Sequence, residues 1–169
     1  DFLESLQQLL TDHPEWIARI RVSFVGRRGP SAAEAIRAFK FPSVLEVVDP
    51  VSKREAISRM RESDVLLLIA RPGLERYLPA KIFEYLAARR PVLVFGSRGE
   101  PSALIDELGA GVYCPAGSAA ALGDALEELQ SFDMSRNAHS IQQWLDEHRR
   151  EALANRAFDI IERATGTLT

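Results

Sequence analysis

The sequence predicts an α/β domain, a Rossmann-like open parallel sheet with helices on both faces. Three observations carry this. Short apolar runs alternate with helix-patterned segments along most of the 169 residues. The run at 65–70, VLLLIA, is apolar without alternation, as in a parallel strand covered on both faces. The connections are short, as right-handed crossovers between neighbouring strands require.

Each element has a local reason. The chain opens at Asp1 directly in an amphipathic helix, with Phe2, Leu3, Leu6, Leu9 and Leu10 on one stripe. That opening leads us to expect further chain upstream, native or added. A strand at 21–26 stops at Gly26. Gly29 and Pro30 make a turn, and Ser31 is expected to cap a helix over 32–39. A second strand, 44–48, is broken by Asp49-Pro50. Ser52 then caps a helix, and Glu55 three residues on completes a capping box. After the strand at 65–70 comes a loop, 71–78, and a helix with Pro79 at its first position. Pro91 ends that helix, and 92–95 is the fourth strand. A loop at 96–99, a helix at 100–108, a fifth strand at 112–114 and a helix from Ser118 to about Leu129 complete the sheet unit. The tail, about 135–164, reads as helical with one break near 151–155, and it covers the sheet or docks on another domain. The expected organisation is a sheet domain over 1–134 and a helical segment over 135–169.

Composition excludes several classes. Net charge is −3 with no basic stripe, so no nucleic-acid groove is expected. No apolar run approaches the ~20 residues that cross a bilayer. The single cysteine, Cys114, permits no internal disulfide, fits a reducing compartment and reads as a small buried residue. There is no GxxxxGK[ST] loop, no GxGxxG after the first strand and no G-x-S-x-G elbow. His13, His139 and His148 lie away from the carboxyl-end loops, so no metal site is expected.

In an open parallel sheet, ligands collect beyond the carboxyl ends of the strands. At one such position stands PAKIFEYLA, 79–87. Ile82, Phe83, Leu86 and Ala87 form its buried stripe, so Lys81 and Glu84 share the other face. Two readings stay open. One is a solvated ion pair worth only ~0.2–0.5 kcal/mol. The other is a ligand grip. A cation beside helix-start N–H groups suits an anion, and a carboxylate one turn deeper suits sugar hydroxyls. The order Lys before Glu, unfavourable to the helix dipole, leans toward the second. Arg27 and Arg28 read as a solvated loop pair, with Arg27 a further candidate cation. Gly26 serves backbone geometry, Arg71 ends the central strand at the right edge, and Tyr85 either lines the cleft or packs.

The segment LPAKIFEYLAARRPVL, 78–93, resembles the "lPgKlfEYLaagrPiL" segment of GT-B glycosyltransferases, particularly the large retaining group called family 4. RESDVLLL at 61–68, PSALID at 101–106, GAGV at 109–112 and Val25-Gly26 are similar to that family's segments in the same order. The resemblance implies the C-terminal half of a GT-B fold, the domain that binds a nucleotide-diphosphate sugar. It implies that Glu84 holds the donor ribose hydroxyls, and that Lys81, helix-start amides and Arg27 hold the diphosphate. It implies backbone contacts to the base near 49–52. No cofactor or divalent metal is expected, because protein charges serve instead, and no catalytic residue is assigned. The expected partners are the donor, an N-terminal domain that binds the acceptor, and an acceptor of unspecified class. The family's first βα unit is truncated here. Its E-x7-E pattern also departs, because Arg76 stands eight places before Glu84 and Glu75 is one place off. The expected activity is sugar transfer in the cytoplasm, with any membrane contact made through the absent domain and the fragment alone inactive. Alternatives are a nucleotide-sugar epimerase of the same fold and a non-catalytic doubly wound interaction domain.

Overall fold

The computed structural model describes residues 2–165, with side chains as far as Ile161. Five strands alternate with helices: β1 (Val22–Val25), β2 (Leu45–Val48), β3 (Leu66–Ala70), β4 (Val92–Gly96) and β5 (Gly111–Pro115). The helices are α1 (Phe2–Asp12), α2 (Pro30–Ala38), α3 (Lys53–Glu62), α4 (Lys81–Ala88), α5 (Glu100–Leu108), α6 (Ala119–Gln130), α7 (Ala138–Glu147) and α8 (Arg150–Thr165). Every strand pair is parallel. The expected class is therefore the observed one.

The strands fall into two groups, β1-β2 and β3-β4-β5, and no ladder joins them among the described residues. Two apolar clusters sandwich this sheet. On one face α1 and α6 pack on Leu93, Phe95, Val112 and Cys114. Phe2 meets Phe95 edge to face, with ring centroids 5.3 Å apart. On the other face α4, α5 and Ile141 of α7 pack on Leu68, Val92 and Val94. Side chains alternate faces along a strand, so β4 feeds both clusters, and all five of its residues are buried. Burial of Phe95 alone contributes roughly 2–3 kcal/mol.

Four local expectations are corrected. Ile69 of β3 is 49% exposed, so the run at 65–70 is covered on both faces only in part. Helix α2 starts at Pro30, capped by Gly29 rather than Ser31; the fixed φ of proline already suits a first helical position. The Ser52 hydroxyl accepts the Glu55 N–H at 3.2 Å, but the Glu55 carboxylate turns to Arg59, so half of the capping box forms. The tail breaks at His148 and Arg149, earlier than expected. Its first part, α7, covers the sheet unit. Trp144 packs on Phe83 with centroids 5.1 Å apart, and Asn137 donates to the Gly109 carbonyl.

Candidate functional site

With all strands parallel, their carboxyl ends form one rim. A crossover helix runs back against the strands, so α4 presents its first turn at that rim. Its start is later than the sequence indicates. Lys81 is the first helical residue, Ala80 precedes it with φ −55° and ψ −24°, and the Pro79 carbonyl accepts the Ile82 N–H at 3.0 Å. The Phe83 N–H is likewise taken, by Ala80. The free helix-start donors are thus reduced to the amides of Ala80 and Lys81, which have no protein acceptor among the described residues.

Lys81 and Glu84 are joined. Nζ lies 2.6 Å from Oε2, and both side chains are about half exposed. The ion pair allowed by their spacing therefore exists, and it exists at the rim. Lys81 also stands 5.9 Å from the Tyr85 ring centre. An exposed pair of this kind stabilises little, ~0.5 kcal/mol, so exchanging one partner for a ligand group costs little. Tyr85 packs: its hydroxyl donates to the Leu67 carbonyl at 3.2 Å. Burial, and next the Glu84 charge, push its phenol above the usual range.

Of the other expected residues, Gly26 has φ +110°, and a Cβ there would meet nothing within 4 Å. Its glycine is set by backbone conformation, not by a close neighbour. Arg27 and Arg71 are exposed at the ends of β1 and β3. Neither side chain makes a hydrogen bond or ion pair with a described residue. Arg28 does not share the solvated character expected of the Arg27-Arg28 pair. One guanidinium nitrogen donates to the carbonyls of Gly26 and Val48, each at 2.9 Å, and the other to Asp49 at 2.9 Å. It fastens the β1 loop to the β2 loop. The pairing of two strand ends far apart in sequence was the signal needed, and only the parallel register supplies it.

The loop after β3 is also held. The Glu75 carboxylate accepts the Gly73 N–H at 2.8 Å, which keeps its carboxyl below the ordinary range. The Glu75 carbonyl accepts the Glu100 N–H at 2.6 Å, and the Ala70 carbonyl accepts the Ser97 N–H at 3.0 Å. A Cβ on Gly96 would stand 2.0 Å from the Ala70 oxygen, and one on Gly99 2.4 Å from the Glu75 oxygen. Both glycines permit backbone contact between the two loops, a role the sequence analysis did not assign to them. Open grooves bordered by His139 and Arg156, and by Ser52 and Arg61, lie off this cluster. Among the described residues no group of His, Cys, Asp and Glu could hold a metal ion.

Parallel strands, helices on both faces and a rim carrying a lysine, a carboxylate and two unpaired arginines define a Rossmann-like α/β domain with a polar carboxyl-end mouth. The chain belongs to the family described as glycosyl transferases group 1, whose model matches residues 1–131. No curated protein matches it. Among solved structures it is similar to trehalose-6-phosphate synthase OtsA, at 14% identity and a TM-score of 0.64 over 98% of this chain and 40% of that one. It is similar to WaaG, a glycosyltransferase involved in lipopolysaccharide biosynthesis, at 20% identity and 0.64 over 97% and 43%. A UDP-forming trehalose-phosphate synthase from Burkholderia vietnamiensis matches at 14% and 0.66 over 96% and 41%. The likeness is one of fold, that of GT-B glycosyltransferases, and the chain spans about two fifths of each of these structures. Among the described residues no helix is long and apolar enough to cross a membrane.

Proposed function

We propose that this chain is the C-terminal, donor-binding domain of a glycosyltransferase that moves a sugar from a nucleotide-diphosphate sugar to an acceptor. The observation that carries this reading is the joined Lys81 and Glu84 on the first turns of α4, at the carboxyl-end rim. On arrival of a donor, Lys81 turns from Glu84 to the diphosphate, beside the amides of Ala80 and Lys81. Glu84, released, accepts from the ribose hydroxyls. Arg27 and Arg71 add positive charge on either side, and Gly26 leaves the β1 loop without a side chain. The peptide groups near Asp49 and Ser52 meet the base.

The chemistry this arrangement supplies is positioning and charge stabilisation. When the bond between sugar and diphosphate breaks, negative charge grows on the departing nucleoside diphosphate. Fixed cations and N–H groups aimed there favour the transition state over the ground state. The acceptor and its activating groups belong to the other domain, so this chain alone binds donor weakly and transfers nothing.

A thermal-shift panel of nucleotide sugars, followed by calorimetry on the best binder, tests the assignment. Glu84→Ala is expected to weaken binding at least tenfold. Its stability should change by less than about 0.5 kcal/mol, since only an exposed pair is lost. Equal affinity in variant and parent would remove Glu84 from the site.

A further inference from the structure

The break in the sheet has a direction and an occupant. The Gly26 N–H donates to the Val48 carbonyl. Peptide groups alternate sides along a strand, so those of Phe24 and Gly26 face β2 while those of Ser23 and Val25 face away from it. On β3 the Leu66 N–H donates to Pro91, and the Ala70 carbonyl accepts from Ser97, both on the β4 side. The peptide groups of Leu67 and Ile69 therefore face away from β4. Two open ladder edges result, and both border one cluster: Val22 and Phe24 of β1 pack on it, and so do Val65 and Leu67. The Tyr85 hydroxyl, a side-chain donor, lies on the Leu67 carbonyl. Val25 and Ile69, near the carboxyl ends of the two edge strands, are 41% and 49% exposed.

We propose that the space between β1 and β3 is a slot for one further parallel strand, and that the segment of the same polypeptide leading into α1 fills it. Handedness selects this occupant. The crossovers from β3 to β4 and from β4 to β5 carry α4 and α5 over one face. A right-handed step across the sheet in the opposite sense places its helix on the other face. Helix α2, between β1 and β2, lies there through Ala35 and Ile36, and so does α1. A strand entering α1 through a short connection of about 2–6 residues then sits beside β1, with β3 on its far side. The order becomes β2-β1-slot-β3-β4-β5. The solved chains this one resembles are more than twice its length, which leaves ample chain to supply the strand. Covered by a cluster on each face, it is apolar at its centre. The Leu67 carbonyl has two lone pairs and keeps Tyr85 while accepting a strand N–H. This inference does not depend on the sugar-transfer reading.

Hydrogen exchange by NMR on the longer chain, carrying the residues encoded upstream of Asp1, tests it. The amides of Ser23, Val25, Leu67 and Ile69 are expected to exchange within about tenfold of Phe24 and Leu68, which face β2 and β4. Fast exchange of the four, beside slow exchange of those two, overturns the slot. Protection that grows with protein concentration, together with dimer mass, overturns the occupant by assigning the edge to a second copy.

Discussion

Cys114 shows how a single residue can be read correctly from composition and still hold a measurable consequence. It is buried beneath α6 and unpaired. Desolvation, and then the charge of Asp124, push its thiol up to about 11 from an ordinary 9.0. The folded chain keeps a proton that the unfolded chain releases, so stability is intact below about pH 9 and falls as pH rises toward 11. Denaturant titrations across this interval should show a loss that is smaller in Cys114→Ala, although that variant starts about 1 kcal/mol less stable from its lost packing. Native Cys114 should also resist alkylation at pH 8. Lys81 and Glu84 were legible because their spacing fixes a shared helix face. Arg28 was not, because its partners are carbonyls at the ends of two strands and no local pattern marks them. Arg89 was equally hidden: it takes φ +56° at the end of α4, where a glycine is the usual choice.

At the scale of elements, segment type was readable and element ends were not. Strand and helix identity follow from apolar spacing, which these segments carry strongly. Starts depend on which of several nearby caps wins. Pro30 displaced Ser31, and a tight turn at Pro79 delayed α4 by two residues. The coupling between strand ends is likewise a property of neighbours in space. Arg28 makes three bonds between the β1 and β2 loops, and Arg28→Ala should cost roughly 1–3 kcal/mol. Its effect should be local: the Gly26 amide should exchange faster while amides of β4 hold their protection. Arg28→Lys should recover only part of the loss, since an ammonium cannot span the same fork.

For the whole molecule, the parallel α/β class was legible, but the gap in the sheet was not. A gap is a missing neighbour, and no residue within the strands records it. The division of the tail is also spatial. Helix α7 joins the second cluster through Ile141 and Trp144, whereas α8 leaves Leu153, Phe158 and Ile160 exposed at 45%, 67% and 65%. Ending the chain after Arg149 should therefore change unfolding free energy by less than about 1 kcal/mol, because exposed apolar groups contribute little burial; a chemical denaturation curve checks this. The glycines at 96 and 99 have a mechanical consequence. They weld two neighbouring loops backbone to backbone, so the stretch bearing Arg71 cannot swing without dragging the beginning of α5 along. Any closing motion at the mouth is that of a single stiff plate, and its rigidity is inherited from the most deeply enclosed strand in the fold.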